Sequence, residues 1–403
     1  MAELVPIAAR ERAITLDVLR GFALCGVMIG NMVLYSGRWA WGGQGPDPTM
    51  LDEIAAWFLA LLVDSKAQTL LTFLFGFGFA VQLVRAEARG EPVMGLYLRR
   101  MVVLFGFGAL HVTLLWWGDV TWTYAVAGFG LLGFVHASNR TRVIVGLILI
   151  FVPVVVVMTF PSVFKAAVEL VSDSKQIRRA TLEMIAALHN PDRAGLGRQH
   201  VEYALVWCTR IYAWYFFWTL GRFLLGYVAG QRRWFDNDGR DHLPVFRRMA
   251  VWGGAVAAVT TTVAVLARLG VLSLHHHGLI GGIADKALEQ LGLLAMTVMY
   301  IGIVVLLMQR RAWRRVLSVL APVGQMALTT YFSQSLICTF LFYGWGLGWA
   351  GEVGVADCVG IALAVFAWQI ALAHVWLQYF RFGPLEWVWR SAVYLRRQPM
   401  RLG

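Results

Sequence analysis

Charge is the first thing this sequence lacks: Asp, Glu, Lys and Arg make up only 14% of its 403 residues. A soluble domain carries about 25%, so a water-soluble enzyme of this length is excluded at the outset. Cysteine is sparse too. Cys25, Cys208, Cys338 and Cys358 fall in or beside apolar runs, with no C-x-x-C pair. They read as small core residues, with a Cys208–Cys358 bridge left open because both lie near one face. Soluble-enzyme signatures are missing: there is no Walker A loop, no G-x-S-x-G and no H-E-x-x-H. The glycines of `FGFGFA` and `FGFG` sit inside apolar runs, where small residues let helices approach closely. The `HHHG` at His275–Gly278 offers consecutive histidines that do not share a helical face, with no carboxylate at ligand spacing. No metal is expected there. No basic, aromatic-interleaved soluble region exists to bind nucleic acid. The first apolar run lacks an A-x-A-like cleavage site, so it reads as an uncleaved span.

What the chain has instead is apolar length. It is 59% hydrophobic, and its runs approach the roughly 20 residues that cross about 30 Å of hydrocarbon. The expected architecture is all-α: a polytopic transmembrane helical bundle of about ten spans. They start near Val18, Ala67, Met101, Thr121, Val143, Thr209, Val251, Ala287, Val323 and Asp357. Three regions follow from this: an N-terminal membrane part over 1–160, an amphipathic outer-surface segment over 161–206, and a C-terminal membrane part over 207–403 with a basic tail. The short run `LDEIAAWFLALLVD` is too short to span and reads as interfacial or re-entrant. Arginines collect in alternate gaps, at `RER`, `YLRR`, `NRTR`, `QRRWF`, `QRRAWRR` and `YLRR` near the end. By the positive-inside rule both termini are cytoplasmic, and the net charge of +12 favours anionic membrane lipid.

Polar side chains at membrane depth are costly and draw attention. His111 lies about 9 Å below the outer end of the third span and Asn31 about 6 Å below that of the first, at 1.5 Å per residue. Tyr124, Asp64, Lys66 and Gln68 fall in the same outer half, so one outward-facing pocket could collect them. His111 reads either as an interhelical hydrogen bonder or as a general base. Asp119 reads as a solvated turn residue or as a partner of that histidine. Eight residues of helix would separate the two by about 12 Å, so a dyad needs the chain to fold back after Gly118. The expected partner of His111 is therefore Asn31, at similar depth on another helix. Gln334 reads as packing glue or pocket lining. Arg222 lies inside a span, where it needs an anionic partner or a watery cavity.

Five stretches, in order, resemble the YeiB-type bacterial membrane proteins: `ITLDVLRGFALCGVMIGNM`, `LTFLFGFGFAVQL`, `YLRRMVVLFGFGALHVTLLWWGDVTWTYAVAG`, `APVGQMALTTYFSQSLICTFLFYGWGLG` and `FRFGPLEWVWRSAVY`. The first block is also similar to that of the transmembrane acyltransferases, including heparan-α-glucosaminide N-acetyltransferase. This resemblance implies a multi-pass protein of the bacterial cytoplasmic membrane. It would move an acyl group from a cytosolic acyl-CoA to a hydroxyl or amine acceptor (a glycan, a lipid or a small molecule) on the outer side. Those acetyltransferases carry a catalytic histidine in the loop after the asparagine matched by Asn31. Here `SGRWAWGGQG` has none, so His111 would act as base, with Asn31 and Asp119 assisting. Asp64, Lys66, Gln68, Tyr124 and Gln334 would line the acceptor pocket, and Arg99, Arg100 and Arg222 would meet the donor's phosphates. The alternative is a transporter or flippase for a small metabolite or lipid, with the same residues lining its path. A homo-oligomer is compatible with either.

Overall fold

The computed structural model describes residues 13–37, 47–88, 93–160, 174–190, 195–207, 213–272 and 278–402. Among them regular structure is helical, and the one extended pairing is an isolated bridge between Phe380 and Arg401. The Cys208 pairing and the histidine run at 275–277 lie outside the described residues.

Each apolar segment read from the sequence falls on a helix: α1 (Ile14–Tyr35), α3 (Lys66–Ala88), α4 (Val93–Leu114), α5 (Thr121–Leu131), α6 (Asn139–Thr159), α9 (Ala213–Gln231), α10 (Leu243–Arg268), α11 (Gly278–Met308), α14 (Ala327–Phe342) and α15 (Val355–Tyr379). Not all of them cross. Seven helical runs among the described residues are long and apolar enough to span a membrane, or eight if one bent pair counts as a span. Two of the ten expected spans, α5 and α9, are not among these runs, and α5 falls short by length. Its 11 residues rise only about 16 Å, and a 3₁₀ turn at Leu132–Phe134 follows. The bent pair turns through 80° at Met326. There α12 (Arg311–Leu317) and α13 (Ala321–Gln325) lead into α14.

Local chemistry sets several of these ends. Helix α2 (Met50–Phe58) starts in a capping box, in which the Thr49 and Asp52 side chains each bond the other's backbone N–H. A π-turn at Leu59–Val63 carries it towards α3, making one apolar run over Met50–Val84 interrupted at Asp64 and Ser65, where Ser65 has φ 62°. At α6 the Ser138 hydroxyl accepts the Thr141 N–H at 3.0 Å.

Helix α1 is central, packing on α3, α11, α13, α14 and α15, while α9 packs on α3, α5 and α6 and α10 pairs with α11. The α3–α9 contact is the tightest kind. A Cβ added at Gly76 would stand 2.1 Å from the Phe223 carbonyl oxygen, and one at Gly226 2.0 Å from that of Phe73. Only glycine permits backbones so close. On the arginine-rich face Asp238 ties three segments together. Its carboxylate accepts the Thr15 hydroxyl at 3.2 Å and Arg314 at 2.8 Å, so the start of α1 and the segments flanking α10 and α11 share one side.

On the opposite face lie the amphipathic helices α7 (Ser174–His189) and α8 (Leu196–Trp207), as the sequence pattern over 161–206 implies. Arg179–Glu183 and Arg198–Glu202 pairs face outward. Met184, Leu188, Leu196 and Tyr203 are buried, and Tyr203 meets Trp117 edge-on at 4.7 Å. The two helices thus roof the far end of α4.

Candidate functional site

Helix α4 stops at Leu114, three residues past His111, and the chain reverses through `LWWGDV`. The reversal is stabilised by Trp116, buried and packed on Tyr35 with ring centroids 4.2 Å apart. It rests on Gly118, where a Cβ would overlap the Trp116 ring at 2.6 Å. Asp119 then caps the first turn of α5. Its Oδ2 accepts the Thr121 N–H at 2.9 Å, the Thr121 hydroxyl at 2.7 Å and the Trp122 N–H at 3.1 Å.

The same carboxylate faces His111. Its Oδ1 lies 3.2 Å from His111 Nδ1 with both side chains fully buried. This corrects the expectation that Asn31 would be the partner. The 12 Å separation assumed that the helix continues, whereas it ends early and folds back. Asn31 instead stands on a cavity wall one turn before Tyr35.

The other imidazole nitrogen reveals a residue that sequence reasoning missed. His111 Nε2 is 2.7 Å from Ser335 Oγ, and Ser335 Oγ is 2.6 Å from the Tyr35 hydroxyl. Asp119, His111, Ser335 and Tyr35 form a buried chain drawn from the α4–α5 turn, α4, α14 and α1. Its walls are aromatic: Tyr331 stacks on the imidazole at 5.1 Å and 17°, and Phe332 meets it edge-on at 4.5 Å. The available signal was the `SQS` of α14. Gln334 drew attention there, but adjacent helical residues point about 100° apart. Gln334 turns to α15 and donates to Gln369 Oε1 at 3.2 Å, while Ser335 turns to α4.

Beside this chain lies a cavity of about 720 Å³. On α1 it is lined from Arg20 to Leu34, about 21 Å of helical rise. Of the residues expected to share a pocket, Asn31, Asp64, Gln68 and Tyr124 are on its wall. Tyr124 shares a hydrogen bond with the Thr72 hydroxyl at 2.8 Å. Lys66 is not on it; it faces a separate cavity of about 200 Å³ with Asp285 and Glu289. Gln334 is not on it either. His111, Asp119 and Ser335 sit just behind the wall. Tyr331, Trp116 and Thr121 line the cavity and touch the buried chain.

At the arginine-rich end the cavity is lined by Arg20, Arg100 and Arg390. Arg20 pairs with Asp17 at 2.9 Å. Arg100 lies over the Trp389 ring at 4.4 Å and Arg390 over Phe382 at 4.5 Å, contacts that orient guanidinium groups. Arg99 does not join them, since it turns back to the Gly95 carbonyl at 3.3 Å. Arg222 is elsewhere. It is buried inside the bundle and donates to Gln290 Oε1 at 3.0 Å. Glu386, on α16 (Pro384–Tyr394), also lines this end. It caps α14 by accepting the Leu328 N–H at 2.6 Å and the Thr329 hydroxyl at 2.6 Å. Burial pushes its carboxyl above the usual range, against the pull of those hydrogen bonds. A cavity with three guanidiniums at one end and a hydrogen-bonded histidine beside the other can hold an elongated molecule with an anionic head.

Among known proteins, a family model described as "Protein of unknown function (DUF418)" matches residues 229–396. The chain is 32% identical to the uncharacterized protein YxaH of Bacillus subtilis, over 99% of this chain and 98% of the relative. It is 28% identical to an uncharacterized 39.9 kDa protein encoded in the amylase 3' region of Bacillus acidopullulyticus, over 98% of each. With YeiB of Escherichia coli it shares 26% identity over 94% of this chain and 96% of the relative. No solved structure matches. Similarity along the whole length, and not in one block alone, places this polytopic helical membrane protein in the DUF418 family, with YxaH and YeiB.

Proposed function

We propose that this protein is an acyltransferase of the bacterial cytoplasmic membrane, taking its acyl group from an acyl-CoA. The observation that carries the reading is the junction of the Asp119–His111–Ser335 chain with a cavity reaching about 21 Å to three arginines. Arg20, Arg100 and Arg390 supply positive charge for the donor's phosphates, which guanidinium groups bind in charge-assisted pairs. The apolar walls suit the extended pantetheine and acyl parts. Asp119 favours the tautomer with the proton on Nδ1, in which Nε2 carries the lone pair that takes a proton. A hydroxyl or amine acceptor, on a glycan, lipid or small molecule, would be activated near Asn31 at the outer end. Sequence resemblance to the transmembrane acyltransferases supports the same reading.

The test is direct. Detergent-purified protein is incubated with radiolabelled acetyl-CoA and a panel of glycan, lipid and amine acceptors. Transfer or CoA release, lost in His111→Ala with CoA binding retained, is the expected result. If the native protein neither binds CoA nor releases it, the proposal fails. The length of the cavity also suits a translocation path for a lipid or small metabolite. On that reading, reconstituted vesicles would scramble a labelled lipid or take up solute, and His111→Ala would leave CoA chemistry at its null level.

A further inference from the structure

We propose that Ser335 is a nucleophile that carries the acyl group between donor and acceptor, an inference that rests on the acyltransferase reading above. The order of groups is that of an activated hydroxyl: nucleophile, base, orienting carboxylate. Ser335 Oγ meets His111 Nε2 at 2.7 Å, and His111 Nδ1 faces Asp119 Oδ1 at 3.2 Å. Asp119 is held by Thr121 and Trp122, and in its ionised form it favours the ring proton on the facing Nδ1. Nε2 then accepts from the Ser335 hydroxyl. The lone pairs of Oγ are left to accept from Tyr35, whose hydroxyl lies 2.6 Å away. A helical serine is satisfied by a back-bond to its own helix, here the Tyr331 carbonyl oxygen at 3.4 Å. Ser335 has a base and a donor, both fully buried.

Access runs along α14. Tyr331 lies one helical turn before Ser335, stacks on His111 and lines the cavity. A rotation of its side chain therefore opens the serine to the donor's thioester. Ser335 Oγ attacks the thioester carbonyl carbon while its proton passes to His111 Nε2. The C–S bond breaks, and the departing thiolate takes that proton to leave as the free thiol. In the second half the acceptor hydroxyl or amine gives a proton to Nε2 and attacks the Ser335 ester. The C–O bond breaks and Oγ recovers the proton, so no oxidant or further reactant is needed. The Tyr35 hydroxyl is placed to stabilise charge developing around Oγ.

The experiment traps the intermediate. Purified full-length protein is mixed with [14C]acetyl-CoA without acceptor, quenched in acid, and examined for label surviving denaturation and for its peptide. The expected result is one acetyl group on the α14 peptide. Ser335→Ala should lower both label and transfer at least 100-fold while CoA still binds. Ser335→Cys should restore a label that neutral hydroxylamine removes, because it is then a thioester. Transfer by the native protein with no trapped label, or label and transfer persisting in Ser335→Ala, would show direct transfer or another nucleophile and overturn the proposal. If the native protein shows no transfer, hydrolysis or CoA binding, the acyltransferase reading itself falls.

Discussion

The two middle glycines of `FGFGFA` stand two residues apart, and the structure gives them opposite duties that one pair of substitutions can separate. A Cβ at Gly76 would meet Phe223 backbone atoms at 2.1, 2.6 and 2.7 Å, whereas a relaxed carbon–oxygen contact is about 3.3 Å. Helix α9 would have to retreat by about 1.2 Å, the shortfall against that contact. Gly226 locks the same interface from the other side, 2.0 Å from the Phe73 oxygen, so the strain falls on backbone and not on a side-chain tip. Overpacking costs about 1–3 kcal/mol, and this case belongs at the upper end. Alanine's better helix propensity returns about 1 kcal/mol, so Gly76→Ala should lose roughly 2 kcal/mol net. At Gly78 the nearest atom is Arg20 Nη2 at 4.0 Å, so Gly78→Ala meets no clash and should gain up to about 1 kcal/mol. Thermal unfolding in detergent, followed by size exclusion, reads the difference. Equal stabilities for the two variants would refute the packing argument. Gly78 also opens onto the cavity, so Gly78→Phe should fold normally yet weaken acyl-CoA binding about tenfold or more, a gap of roughly 1.4 kcal/mol.

Further substitutions probe the site and the bundle around it. Asp119→Asn keeps the shape of the turn but removes the anion facing His111; turnover should fall by about 10³ to 10⁴, and a loss under tenfold would argue against an orienting role. Arg100→Ala and Arg390→Ala should each raise the apparent Kd for CoA about tenfold, one charge-assisted contact of roughly 1.5 kcal/mol, in titrations where the control Arg99→Ala changes nothing; equal effects at all three would mean that the cavity arginines do not meet the donor. Gln290→Leu strips the hydrogen bond from buried Arg222 and should destabilise by about 2 kcal/mol. Adding Arg222→Met removes the stranded charge and should restore stability, so a double variant no more stable than Gln290→Leu would contradict that account.

The fold was legible because its cause is local. Runs of apolar residues with arginines between them describe helices and their polarity without any knowledge of partners, and the amphipathic pattern of α7 and α8 announces their surface position. What the pattern concealed was length and continuity. The segment at Thr121 reads as a span, but Gly128, Gly130 and Gly133 sit where α5 gives way to a 3₁₀ turn, and the helix is too short. The run after Thr49 is set off from α3 at Asp64 and Ser65, where Ser65 has φ 62°, and a π-turn at Leu59–Val63 extends it up to that break. Which arginines line the cavity was not legible either. Arg99 and Arg100 are neighbours, and helical rotation alone decides that one faces Trp389 and the other its own helix.

The site failed to be legible for a more specific reason. His111 and Asp119 were visible as residues, and their separation along an ideal helix argued correctly against contact. The premise failed because α4 ends at Leu114, where two tryptophans and a glycine build a reversal that no helical rise describes. Asp119 stabilises that reversal by capping α5, and the same carboxylate faces His111 Nδ1 at 3.2 Å. On the proposed reading, one group couples the folding of the turn to the chemistry. Ser335 was hidden differently, because a serine among apolar residues carries no sequence signal until a base is known to face it. The two halves of the proposed relay lie 224 residues apart in sequence. They meet near the C-terminal end of α1, where the Tyr35 hydroxyl lies 2.6 Å from Ser335 Oγ. A variant that moves that end of α1, such as Tyr35→Ala, should therefore affect the histidine through Ser335. Tyr35→Phe, which keeps the ring on Trp116 and removes only the hydroxyl, should slow acyl transfer while leaving thermal stability within about 1 kcal/mol, the net worth of one hydrogen bond.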